Sequence, residues 1–289
     1  MTKTNKSLYL KSIMYSFVYI IGSYLFVIAL LFILFSFYRN AVNHPVGAEN
    51  VCFFICALLI TIYCKKSALS TNIVKLKGSL FGVFVLGLPY LLFVMFILLF
   101  SLRYIYSTWL AGTSFLYNKL KSAMPSILVN ILIIPFFEEA LYRGLLLSKM
   151  KQLFRADIRK RNVVFMVIVS SFFFSIIHLQ NLYNVSKQVN VAVQVPLAFL
   201  MGVLLAVLSL RTKTILPGMV LHSLWNLSAD IANIIHENHP FINRTMLNTI
   251  LIRNPSPTAL IFHLLILVYA IIILMRMLNS KKHSISRFF

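Results

Sequence analysis

Acidic residues are nearly missing from this chain: six among 289, against 27 lysines and arginines. Charge of either sign is scarce at 11% of residues, whereas 60% are apolar and 14% aromatic. That composition excludes an ordinary water-soluble domain and describes a chain dissolved in lipid. Cysteine is scarce as well. Cys52, Cys56 and Cys64 share one apolar segment, and a spacing of four puts the first two on one helix face. No His or Cys nearby completes a metal set, so all three read as small apolar residues. There is no internal repeat, low-complexity tract or soluble domain. No A-x-A cleavage site follows the first apolar run, whose 27 uncharged residues read as a retained helix rather than a signal-peptide core.

What is abundant is uncharged length. Ser12–Tyr38, Gly78–Leu102, Ser122–Ser148, Asn162–Ser186, Gln188–Leu210 and Asn254–Met275 each exceed the ~20 apolar residues that a spanning helix needs. Asn50–Cys64 is shorter, a tight span or a re-entrant piece. Thr214–Ile235 is long enough but carries Asp230 near its end. The expected fold is therefore an all-α integral membrane protein of about eight transmembrane helices. Residues 1–110 hold the first three, and residues 111–289 form the half that carries the chemistry.

A net charge of +21 would suggest nucleic acid in a soluble protein, but its placement excludes that partner. With both termini taken as cytoplasmic, nineteen of the 27 basic residues fall on the cytoplasmic side. Seven fall outside, and Arg143 is intramembrane. This is the positive-inside pattern of a multi-pass protein, and no basic patch interleaves with a soluble aromatic platform. The run Lys149–Arg161 (KMKQLFRADIRKR) concentrates six of these charges. It is expected to continue the fourth helix into the interface, against anionic headgroups.

Against this background Glu138 and Glu139 stand out. They lie side by side in Ser122–Ser148, where the one other charge is Arg143. A carboxylate at bilayer depth costs several kcal/mol and marks a functional site by default. At 100° per residue, Glu139 and Arg143 share a face in the favourable order, acid N-terminal to base. Glu138 is left for chemistry, with Tyr142 near it. Three further spans carry histidines: His263 stands alone on the last and reads as a packed or interfacial residue, His178 lies one turn after Phe174, and His222 lies four residues before Asn226 on one face. Pro135 and Pro217 lie just before Glu138 and His222, where freed carbonyls suit a site built on irregular backbone.

Glu138–Glu139–Ala140–Leu141–Tyr142–Arg143 matches EExxxR, Phe174–His178 matches FxxxH and His222–Asn226 matches HxxxN. In that order these motifs resemble the CAAX-protease and bacteriocin-processing (CPBP, or Abi) family of intramembrane proteases. The resemblance covers roughly Ser122 to Asp230. It implies an eight-helix membrane protease with its site between helices 4, 5 and 7. Glu138 and His178 would activate water, His222 and Asn226 would stabilise the oxyanion, and Glu139, Arg143, Tyr142 and Phe174 would support them.

The residues support the same assignment. Amide hydrolysis needs a base for water, donors at the developing oxyanion and a proton for the leaving amine. No serine or cysteine is placed with a base and an orienter, which disfavours covalent catalysis. The expected mechanism uses no cofactor. The alternative is zinc held by Glu138, His178 and His222, although HExxH is absent. The expected substrate is a peptide or membrane-anchored protein segment, and the expected location the bacterial plasma membrane. Two other functions remain compatible with the sequence: an idle immunity or scaffolding relative, and a proton-coupled transporter. One feature fits poorly. At ~1.5 Å per residue, His178 falls near the far end of its span while Glu138 and His222 fall near the middle of theirs.

Overall fold

The computed structural model describes residues 3–37, 45–66, 82–110, 114–155, 159–183, 191–238 and 257–279. Among these residues the structure is helical throughout, without strands. Helices α1 (Lys3–Phe37) and α2 (Pro45–Lys66) are followed by a π-turn, Gly82–Leu86, and α3 (Leu88–Leu110). Helix α4 (Ser114–Glu139) passes without a break into a π-wound segment, Ala140–Leu146, and then α5 (Leu147–Leu153). Helix α6 (Lys160–Ile176) tightens into a 3-10 segment, Ile177–Tyr183. Helices α7 (Val191–Thr212), α8 (Leu216–Asn238) and α9 (Pro257–Asn279) complete the bundle.

Among the described residues, five stretches have the length and hydropathy to cross a bilayer: Ser7–Leu30, Leu88–Ser107, Tyr117–Leu153, Lys160–Leu182 and Val191–Thr212. Asn50–Cys64 and Leu264–Arg276 are apolar but shorter. Helix α8, where the sequence suggests a further span, is in neither group. His222, Asn226 and Asp230 lower its hydropathy, and they face protein rather than lipid. Several of the basic residues counted in the loops and termini, and residues 156–158 of the interfacial run, lie outside the described residues.

Apolar side chains face outward on a scale that water would not tolerate. On α1, Leu10, Met14, Phe17, Val18, Ile21 and Leu25 are exposed and repeat at three- and four-residue spacing, a lipid-facing stripe. Hydroxyls on the same helix are spent internally: Ser12, Ser16 and Ser23 donate to the carbonyls of Leu8, Ser12 and Tyr19. Cys52, Cys56 and Cys64 are buried and form no disulfide, and Cys56 Sγ meets Ser23 O of α1 at 3.9 Å.

Helix α7 forms the centre, with the run Leu204–Leu208 fully buried. It packs against α6 on one side and α9 on another. The α6–α7 crossing is close because position 202 is glycine: a Cβ there would lie 3.1 Å from Ser171 Cα and 3.2 Å from the Phe174 ring. Helix α8 packs along α4, and this contact builds the site.

Candidate active site

Glu138 and Glu139 end α4 at the point where the winding changes. Pro135 removes one helical N–H, and from Ala140 the chain winds as a π-helix, so that the Leu147 N–H reaches Tyr142 O five residues back. This differs from the regular α-helix that the sequence suggests. With more than four residues per turn, residues four apart lie nearly above one another. Arg143 Nη1 accordingly stands 2.9 Å from Glu139 Oε1, with both side chains fully enclosed. The expected ion pair is present. Arg143 Nη2 also donates to Gly202 O on α7 at 3.2 Å, and the guanidinium lies 4.3 Å above the centre of the Phe174 ring.

The Phe174 ring is fully buried and packs edge-on against three other rings. Tyr142 is 5.4 Å away, His178 5.6 Å and His222 5.6 Å. This accounts for the depth of His178. It sits on the 3-10 segment beyond the end of α6, and one phenyl ring connects it to His222 and to the Arg143 layer. Tyr142 spends its edge on Phe174, and its hydroxyl makes no hydrogen bond to Glu138.

His222 stands between the two carboxylates. Its Nε2 is 3.5 Å from Glu138 Oε2, and its Nδ1 is 3.5 Å from Glu139 Oε1. The second carboxylate is therefore shared between Arg143 and His222. Glu138 Oε2 and His222 Nδ1 are enclosed without a hydrogen-bond partner. A buried polar group left in that state costs ~1–3 kcal/mol and calls for a chemical reason.

Helix α8 presents a stripe at four-residue spacing: Gly218, His222, Asn226 and Asp230. Each meets α4 or its π-wound continuation. A Cβ at Gly218 would lie 2.6 Å from Glu139 Oε2, so glycine is what lets that carboxylate reach α8. Asn226 Nδ2 donates to Asn130 O at 2.9 Å, and Asn130 Nδ2 donates to Asp230 Oδ2 at 3.0 Å. Asn226 thus commits an amide hydrogen to holding α8 on α4. Asn130, Gly202 and Gly218 were not singled out from the sequence. Gly218, one turn before His222 on the same face, was the most legible of the three.

Gly218→Ala should destabilise the protein by about 1–3 kcal/mol, despite alanine's higher helix propensity. Its methyl must displace a carboxylate already tied to Arg143. Thermal unfolding in detergent measures this, and an unchanged or raised midpoint would contradict the close approach.

Among the described residues, no three His, Cys, Asp or Glu side chains are arranged to hold a metal ion. The family model for type II CAAX prenyl endopeptidase Rce1-like proteins matches residues 120–228. It spans the π-wound segment, α6 and α7, and it ends two residues after Asn226. The match bears out the resemblance carried by the three motifs, and it supports a CAAX-type intramembrane protease in general. No curated protein and no solved structure matches the chain.

Proposed function

We propose that this chain is an intramembrane endopeptidase that hydrolyses peptide bonds with water activated by Glu138 and His178. The carrying observation is the enclosed triad in which His222 touches both Glu138 and Glu139, at 3.5 Å each. In this reading Glu138 takes a proton from water, and the resulting hydroxide attacks the carbonyl carbon of the scissile bond. His222 and the second amide hydrogen of Asn226 meet the oxyanion. Glu138 then returns the proton to the leaving amine. Arg143 neutralises Glu139, which orients His222. The substrates are peptides or membrane-proximal segments: a leader-bearing bacteriocin, a signalling peptide or a prenylated C-terminus. The setting is a bacterial plasma membrane, with both termini cytoplasmic.

Mass spectrometry of peptides from cells carrying the wild-type chain or Glu138→Gln tests this reading. Accumulation of uncleaved precursors in the variant supports it. Identical peptide profiles combined with a retained cellular phenotype would favour an idle immunity or scaffolding role.

Asn226→Ala should lower kcat about 10²–10³-fold with little change in KM, the usual loss for one oxyanion donor. A large KM effect at constant kcat would assign Asn226 to substrate binding instead.

We further propose that no metal takes part. If zinc did, Glu138, His178 and His222 would hold it, and it would supply a polarised water. Purified protein should keep its activity through prolonged chelation. Stoichiometric zinc, with activity lost to chelator and restored by zinc, would overturn this.

A further inference from the structure

Asp230 shares a face of α8 with His222 and Asn226, yet the reaction above gives it no task. It also lies two residues beyond the end of the family match. We propose that Asp230 and Asn130 form a positioning pair for that reaction. They set the register of α8 on α4 and so bring His222 to Glu138 and hold Asn226 beside them. This inference rests on the endopeptidase reading.

Register is the first argument. Glu138 of α4 meets His222 of α8 at 3.5 Å. Asn130 stands eight residues back along α4, and Asp230 eight residues forward along α8. These two are joined, with Asn130 Nδ2 donating to Asp230 Oδ2 at 3.0 Å. Two contacts at matched offsets are what antiparallel helices give in one fixed register. Between them Asn226 Nδ2 donates to Asn130 O at 2.9 Å, so Asn130 is held to α8 by main chain and side chain together. A slip of one residue would move α8 by ~1.5 Å and turn its face by ~100°. Both the imidazole and the Asn226 amide would then leave the site.

The backbone of α4 is the second. Pro135 has no N–H to offer Ile131 O, so the helical ladder is interrupted one residue past Asn130. From Ala140 the winding changes again. Glu138 therefore lies between two irregularities, and a helix interrupted in this way bends easily. Apolar side chains do not correct that, because they pack almost equally well at neighbouring rotations. A polar pair that fixes the register of packed helices is the best-attested use of such groups in an apolar interface. Asn130, Asn226 and Asp230 are all half-buried, as a pair working between two helices requires.

Distance is the third. About two helical turns, ~12 Å along the axis, separate Asp230 from His222. Its carboxylate is thus too far from Glu138 to touch the reacting atoms, and it acts through the helix that it pins. A carboxylate at bilayer depth is costly, and a plain packing contact between α4 and α8 could be made with apolar side chains. A directional contact needs a donor on one helix and an acceptor on the other, which is what Asn130 and Asp230 supply.

The test uses the full chain in detergent. Its probe is the precursor peptide that accumulates in Glu138→Gln cells, remade with a fluorophore and a quencher on either side of the cleaved bond. Asp230→Ala should lower kcat by about ten- to a hundred-fold at an unchanged KM, the loss expected when reacting groups are misplaced by ~1 Å. Asp230→Asn should keep most of the activity, because its amide oxygen still accepts the Asn130 bond. The double variant Asn130→Leu with Asp230→Leu separates positioning from stability. Apolar replacements of a polar pair keep helices packed, so its unfolding midpoint should hold while kcat falls as in Asp230→Ala. Three results would overturn the proposal: an unchanged kcat in Asp230→Ala, a loss in Asp230→Asn as deep as in Asp230→Ala, or wild-type kcat in the double variant. If no precursor accumulates in Glu138→Gln cells, the endopeptidase reading itself falls, and this inference falls with it.

Discussion

Glu138→Gln is expected to abolish peptide hydrolysis while leaving the thermal midpoint within a degree or two of wild type. The amide preserves shape and volume, and Glu138 Oε2 makes no hydrogen bond that the exchange would break. His222 Nε2 stands 3.5 Å from it. What disappears is the capacity to accept water's proton and return it. General-base catalysis alone contributes about 10²–10⁴-fold, and the variant also removes the proton return to the amine, so the loss should reach the assay floor. Activity within ten-fold of wild type, from protein of normal stability, would remove Glu138 from the mechanism.

Glu139→Gln should fail in a different way, by losing the fold. Arg143 is fully enclosed, and its charge is balanced by Glu139 at 2.9 Å. Breaking a buried pair by removing one partner costs about 3–5 kcal/mol, because it strands the other charge. Low expression and a sharply lower unfolding midpoint are therefore expected. A compensating double variant, Glu139→Gln with Arg143→Met, separates this from local damage. Removing both charges should recover much of the stability, since apolar replacements of a buried pair are often neutral. It should not recover activity, because His222 loses the carboxylate at its Nδ1. If Glu139→Gln retained wild-type stability and lost activity alone, Glu139 would be a catalytic group rather than a positioning one.

The two glutamates differ in legibility for a physical reason. The Glu139–Arg143 pair is local: the two residues are four apart on one helix, and either α or π winding brings them together. Phe174 with His178, and His222 with Asn226, were legible in the same way. The π-winding itself was not foreseen; within it Tyr142 O accepts a hydrogen bond from the Ser170 hydroxyl of α6 at 3.2 Å. The basic run Lys149–Arg161 was read as continuing the fourth helix into the interface, and the chain does run on without a break through Leu153. What was not legible is that Lys151, within this continuation, is buried.

Composition and spacing by themselves determined that the chain is a helical membrane protein, which span holds the carboxylates, and which residues share a helix face. Each of these follows from the cost of charge in lipid or from the pitch of a helix, both readable along the chain. Tertiary structure decided which faces meet. It placed His222 between two glutamates more than eighty positions away, gave Arg143 the carbonyl of Gly202, and tied Asn226 and Asp230 to Asn130. It also required glycine at position 218. Those contacts depend on how far each helix rotates and slides against its neighbour, and apolar side chains that face lipid all round leave that rotation unwritten until the helices pack.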